Sequence, residues 1–340
     1  MILYMKKLIG GLLLLLLCFP VALKAQSKMF SNPVLPSGAD PWVTYHQGYY
    51  YYMHTLGNRL KIWKTKSVAG LNDAESKDVW FPPAKGPNSR SVWAPELHFI
   101  QGKWYIYYTA ADDQYNDDAH RYVFVLENAS PDPLQGEWIA KGKLNTNFSG
   151  LDGSVFEHRK MMYFIYSAYV DHQSTLIISA MENPWTLKGE QIQIARPTFN
   201  WEKFGGREIL EGPQFLKGRK GQLFIIYSAS ACWDDNYALG MLEANSSSNL
   251  LDSLSWKKSP VAVFKQAPEN GVYAPGHNSF FKSPDGKEDW ILYHANAAPG
   301  QGCDHRRSPR MQQFKWKKDG SPDFGNPVKA GKSMPVPAEN

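Results

Sequence analysis

The chain has 340 residues, 43% of them hydrophobic, enough to bury a large core in one large domain or two. Its formal net charge is +5, with the charges interspersed and not gathered into a basic face, which excludes a dedicated nucleic-acid binder. Aromatic residues make up 14%, including 18 Tyr and 12 Trp, a bias that favours strands and supplies flat faces for the apolar sides of sugar rings.

At the N-terminus, Lys6 and Lys7 precede the uncharged stretch 8–23, Pro20 breaks it, and Leu23-Lys24-Ala25 offers a cleavage site before Gln26. The pattern predicts a secretion signal over residues 1–25 and a single domain over 26–340, located in the periplasm or outside the cell. Stable membrane insertion is not expected, because the stretch is shorter than the ~20 apolar residues a span needs. Loss of Lys6, Lys7 and Lys24 lowers the net charge from +5 to +2. Cys18 follows a leucine run without the small residue expected before a lipid anchor. Cys232 and Cys303 then remain, with no CxxC pair, which leaves a zinc site or a disulfide scaffold unsupported. One disulfide between them and two buried thiols both fit.

Past the signal, helical periodicity is scarce, and short β-branched and aromatic runs alternate with Gly, Pro, Asn and Asp, which predicts an all-β chain. The ends of five aromatic strand cores, Met53, Tyr108, Tyr166, Tyr227 and Tyr293, are spaced by 55, 58, 61 and 66 residues. Ahead of each core stands a polar residue: Asp40, Glu96, Asp152, Glu211 and His277. In the first unit Leu60 to Lys64 reads as a third strand; in the second, Arg121 to Leu126 does, with Trp138 to Lys141 as a fourth. Five units of about four antiparallel strands predict a five-bladed β-propeller around a central funnel. The polar positions would begin the strands nearest the axis and converge there. Loops 112–119 and 299–307 are long for hairpins and are expected at the mouth of a site.

Three carboxylates near one axis suit glycosidic hydrolysis, in which a neutral acid protonates the leaving oxygen while an ionised carboxylate activates water or attacks the anomeric carbon. A third carboxylate can hold up the pKa of the acid by charge repulsion. Singly, each would more often be a solvated loop residue; their shared spacing favours a site.

Ala39-Asp40-Pro41, Trp93-Ala94-Pro95-Glu96, Leu151-Asp152-Gly153 and Glu211-Gly212-Pro213 resemble the successive motifs of glycoside hydrolase family 43, from about Asn32 to Pro327. The resemblance implies an inverting enzyme in which Asp40 is the general base, Glu211 the general acid, and Asp152 the group that tunes and orients the acid. Glu96 is implied to be structural. The segments Tyr227 to Trp233, Tyr237 to Leu242, Gly276 to Phe280 and Gln312 to Trp316 are similar to the exo-acting α-L-arabinofuranosidases of that family. That likeness puts His277 at the bottom of the funnel near an ion or a water network, and Arg310 close to the sugar. It leaves room for a structural calcium or sodium in the central channel, with no cofactor required for catalysis.

Trp93 reads equally as a stacking face for the sugar and as packing beneath a blade. Trp42 and Phe156 read as apolar walls behind the acids or as core. The expected partner is an arabinose-containing oligo- or polysaccharide, acted on by a monomer. A β-xylosidase, an endo-arabinanase and a non-catalytic carbohydrate-binding propeller are the alternatives.

Overall fold

A computed structural model describes residues 28–338, so the proposed signal over 1–25 lies outside the described residues. Five four-stranded antiparallel sheets follow one another, each built from contiguous chain and ordered from the axis outward. Blade I comprises Ala39–His46, Tyr49–Thr55, Leu60–Thr65 and Glu75–Trp80; blade II comprises Arg90–Ile100, Lys103–Ala111, Arg121–Asn128 and Ile139–Lys143. Blade III comprises Gly150–His158, Met161–Val170, Gln173–Asn183 and Thr186–Ala195. Blade IV comprises Leu210–Lys217, Gln222–Ala229, Ala238–Asn245 and Lys257–Lys258, and blade V Tyr273–Lys282, Asp289–Asn296, Ser308–Trp316 and Pro322–Asp323. The expected five-bladed propeller is therefore the observed fold.

The aromatic second strands follow from this stacking. Alternate residues of a strand face opposite sides, and both sides of a blade are covered by neighbours. Tyr51 and Met53 accordingly pack against Leu97, Trp104 and Ile106 of blade II, while Tyr50 and Tyr52 pack against Phe281, Trp290 and Leu292 of blade V. The other three blade junctions repeat the arrangement. A fully buried side chain such as Phe164 contributes roughly 1.5–3 kcal/mol relative to exposure. Trp42 and Phe156 belong to these junctions: Trp42 donates its indole N–H to Leu97 O, and Phe156 stacks on Phe215 at 4.2 Å. They are core, not walls of the funnel, because their strand positions face a neighbouring blade.

Among the described residues, no blade shares strands from both chain ends. The ring closes outside the blades, where Met29–Phe30 pairs antiparallel with Met334–Pro335. Beside this ribbon the Asn32 side chain brackets Met311, accepting from its N–H and donating to its carbonyl, both at 2.9 Å. Val34 N–H donates to Pro309 O and Gly38 N–H to Arg307 O, so the first segment is sewn along the third strand of blade V.

Candidate active site

Each innermost strand is bulged, and at equivalent bulges one residue per blade takes a positive φ between 43° and 57°: Asp40, Ala94, Asp152, Gly212 and His277, with Ser91 and Ala274 at a second bulge in blades II and V. A bulge bends the strand and re-aims a side chain, which here turns these positions out of the blade stack. Their amides are tied sideways to the preceding blade. Ala94 N–H donates to Thr55 Oγ1 at 2.7 Å, Asp152 N–H to Thr109 Oγ1 at 3.0 Å, and His277 N–H to Ser228 Oγ at 2.7 Å. Asp40 N–H donates to His294 Nδ1 at 3.1 Å, and Gly212 N–H to Asp152 Oδ2 at 3.0 Å. At that last junction Ser167 Oγ turns instead to Leu210 O at 2.7 Å.

This ring corrects the spacing read from the sequence. Asp40, Asp152 and His277 are equivalent, but the blade II equivalent is Ala94, two residues before Glu96, and the blade IV equivalent is Gly212, one residue after Glu211. Counting back from the strand cores does not register the bulges. Glu96 is buried against His98 Nε2 at 2.9 Å and the Gln214 amide, away from the cavity. Glu211 keeps its regular pairing with Ser228. Gly212 suits its place for two reasons: its φ is positive, and a Cβ there would lie 3.2 Å from the His277 ring.

Asp40, Asp152, Glu211 and His277 line one cavity of about 590 Å³, well within the range of small-ligand pockets. Their environments differ. Burial alone would raise the pKa of Asp40, yet the Arg307 guanidinium, with Nη1 3.1 Å from Oδ1, and the His277 ring hold it well below the usual 3.8. His294 itself is pushed down to about 4, chiefly by burial, and accepts the Asp40 N–H, so its imidazole is neutral at Nδ1. Glu211 is pushed up to about 7, chiefly by burial and further by the Asp40 charge, against the opposing hydrogen bond that Tyr237 donates to Oε1 at 2.7 Å. Asp152 is also raised, by burial and by the charges of Glu211 and Asp40, while the Gly212 N–H offsets part of this. Ionisation of Glu211 therefore opposes ionisation of Asp152 in the same cavity.

His277 Nδ1 lies 3.3 Å from Asp40 Oδ1 and 3.8 Å from Asp152 Oδ2, bridging the two aspartates. Among the described residues no group of three His, Cys, Asp or Glu is arranged to hold a metal ion. Trp93 lines the cavity and carries the Arg121 guanidinium 4.0 Å from its ring centre. Arg310 does not reach the cavity. It is 0% exposed, opposite Tyr293 in the strand ladder, and donates to Asn296 O at 3.4 Å. Arg307, three residues earlier and still in the loop, is the guanidinium that reaches the Asp40 carboxylate.

Arg307, Tyr237 and His294 are the site residues that sequence reasoning missed. The pattern Tyr237-Ala238-Leu239-Gly240 was visible, but nothing local showed that its hydroxyl would meet Glu211. Both long loops lie at the mouth, as expected: Asp118 of the first forms an ion pair with Arg207 at 2.9 Å, and Cys303, Asp304, His305 and Arg307 of the second line the cavity. Cys232 and Cys303 form a disulfide that joins the blade IV loop to this second loop. Chemically, one cavity holds a carboxylate kept ionised beside a cation and a carboxyl kept protonated near neutrality.

Residues 30–322 match the profile of glycosyl hydrolases family 43. The chain is 38% identical, over 90% of its length, to the extracellular exo-alpha-(1->5)-L-arabinofuranosidase of Streptomyces avermitilis, and spans 65% of that protein. It is likewise 38% identical to the protein of that name from Streptomyces chartreusis, with 78% of this chain and 82% of the relative covered. The crystal structure of an alpha-L-arabinofuranosidase from Lactobacillus brevis superposes with a TM-score of 0.84 at 34% identity, covering 89% of this chain and 98% of that one.

Proposed function

The chain belongs to glycosyl hydrolases family 43, and from that premise we propose that it is an inverting, exo-acting α-L-arabinofuranosidase. Glu211 is the general acid, Asp40 the general base that activates water, and Asp152 the group that tunes and orients the acid. The observation that carries this reading is the opposite bias of two carboxyls in one cavity: Asp40 ionised against Arg307, Glu211 protonated up to about 7. An inverting pair needs that division of labour, with room for a water between base and sugar.

The exo mode is supported by the walls of the cavity. The Asp118–Arg207 ion pair and the Cys232–Cys303 disulfide tie loops of different blades together at its mouth, which favours an end residue over an internal stretch of polymer. His277, engaged with both aspartates, orients them in this reading, and catalysis proceeds without a metal. The substrate is an arabinose-containing oligo- or polysaccharide outside the cytoplasm. This location is supported by the leader-like N-terminal sequence and by relatives named extracellular. Among the described residues, no helix is long and apolar enough to cross a membrane.

The test is paired hydrolysis of 4-nitrophenyl α-L-arabinofuranoside and 4-nitrophenyl β-D-xylopyranoside, with the released sugar followed by NMR. Release of β-L-arabinofuranose as the first anomer is the expected result. Exclusive xyloside cleavage, or retention of configuration, would overturn it.

A further inference from the structure

Blade IV supplies more than the proposed acid. The loop after its second strand, residues 230–237, ends in Tyr237, which donates to Glu211, and carries Trp233 at the cavity mouth with 49% of its surface exposed. This loop is held from several sides. Cys232 is bonded to Cys303, Ala231 N–H donates to Phe204 O at 3.0 Å, and Phe204 N–H donates to Ser230 Oγ at 3.0 Å. Gly300 N–H donates to the Asp235 carboxylate at 3.0 Å, and Ala274 N–H to Asp235 O at 3.0 Å.

The indole is fixed by its edge, with Nε1 donating to Gly205 O at 2.9 Å. Its faces differ from those of Trp93, on which Arg121 stacks: no ring or cation contact is made by Trp233 among the described residues. Phe204, 42% exposed, directly precedes the glycine that accepts this bond. A large apolar face that is exposed yet rigid costs solvation in the free protein and loses little entropy on binding, which is the signature of a preorganised stacking platform.

The position of the acid decides what would stack there. In the reading above, Glu211 protonates the leaving oxygen, so the leaving sugar departs on the blade IV side, whereas water attacks from the Asp40 side at the seam of blades V and I. We propose that Trp233 is the platform for the leaving-group sugar, and that the enzyme therefore selects an arabinosyl unit attached to a further saccharide over one attached to a small alcohol. This deepens the proposed function and rests on it.

The test uses the Glu211→Gln protein titrated calorimetrically with free L-arabinose and with an α-1,5-linked arabinotriose, with and without Trp233→Ala, alongside kcat/KM of the otherwise native Trp233→Ala enzyme on the trisaccharide. The expected result is about tenfold weaker trisaccharide binding and a similar loss in kcat/KM, with arabinose affinity unchanged within about twofold. Trp233→Phe, which keeps a ring but loses the bond to Gly205, should restore most of the loss. Equal weakening of both ligands would make Trp233 merely structural, and no weakening of either would remove it from the site; both overturn the proposal. Selective loss of trisaccharide binding in a protein that hydrolyses no arabinoside would leave the platform standing and sink the reaction.

Discussion

Arg307 Nη1 and Asp40 Oδ1 lie 3.1 Å apart although 267 residues separate them in sequence, and the contact crosses the seam between the last blade and the first. Arg307 also donates from Nη2 to Cys303 O at 3.2 Å, so the disulfide-bonded loop holds the guanidinium that holds the carboxylate.

Arg307→Gln should therefore raise the acid limb of the kcat/KM profile, because burial, which raises Asp40, then loses its chief opponent. A loss of roughly 10–100-fold at pH 6 is expected, as Asp40 spends less time ionised. The stability sign follows. Asp40 has a depressed folded pKa, so its contribution is present above the unfolded value and is lost as pH falls through the folded one. The variant should be less stable at neutral pH and approach the native enzyme in strong acid. Unchanged pH profiles would disconnect Arg307 from the base.

Glu211→Gln should reduce turnover of a natural oligosaccharide by about 10²–10⁴-fold, and less for an aryl glycoside whose leaving group needs little protonation. Stability should move the other way. With a folded pKa of about 7 against an ordinary 4.5, the native state keeps a proton that the unfolded chain releases, so native stability falls as pH rises between those values. The glutamine variant escapes that loss and should melt higher than native at pH 8, by roughly 2–4 °C for each kcal/mol relieved, but not at pH 4. Thermal melts at the two pH values check this.

Tyr237→Phe removes the hydroxyl that favours ionised Glu211. The alkaline limb of the activity profile should shift upward from about 7 while the acid limb stays in place. A downward shift would show that the hydroxyl serves another partner.

Reduction of the Cys232–Cys303 bond releases a loop closed across 71 residues of chain. In the chain-entropy account such a loop is worth about 4 kcal/mol. Treatment with dithiothreitol should lower the Tm and, because Cys303 braces Arg307, move the acid limb as Arg307→Gln does. A fall in Tm with an unmoved acid limb would confine the disulfide to stability.

The sequence and the structure agree where the physics is repetitive. Tyr49 to Met53 and its four counterparts read as strands buried on both faces, and their spacing marked five blades. Agreement weakens where one residue decides a direction. Glu211 and Glu96 share the spacing of Asp40, yet bulges set them one and two residues out of register, and no local pattern predicts a bulge at Asp40-Pro41. Arg310 and Arg307 illustrate the same limit. Three positions apart, one lies in a strand and faces the interior beside Tyr293, while the other remains in the loop and meets Asp40. Cys232 and Cys303 read equally as paired or separate, because only the approach of two loops brings them together.

The seam has a kinetic meaning. Each blade is local in sequence and can assemble from its own hairpins, but Asp40 acquires His294, His277 and Arg307 only when blade V docks on blade I. The proposed base is thus assembled by ring closure, and hydrolytic competence reports the docking of the two chain ends. An enzyme whose terminal ribbon of Met29–Phe30 with Met334–Pro335 is cut away would keep its strand content while its fraction of active molecules falls.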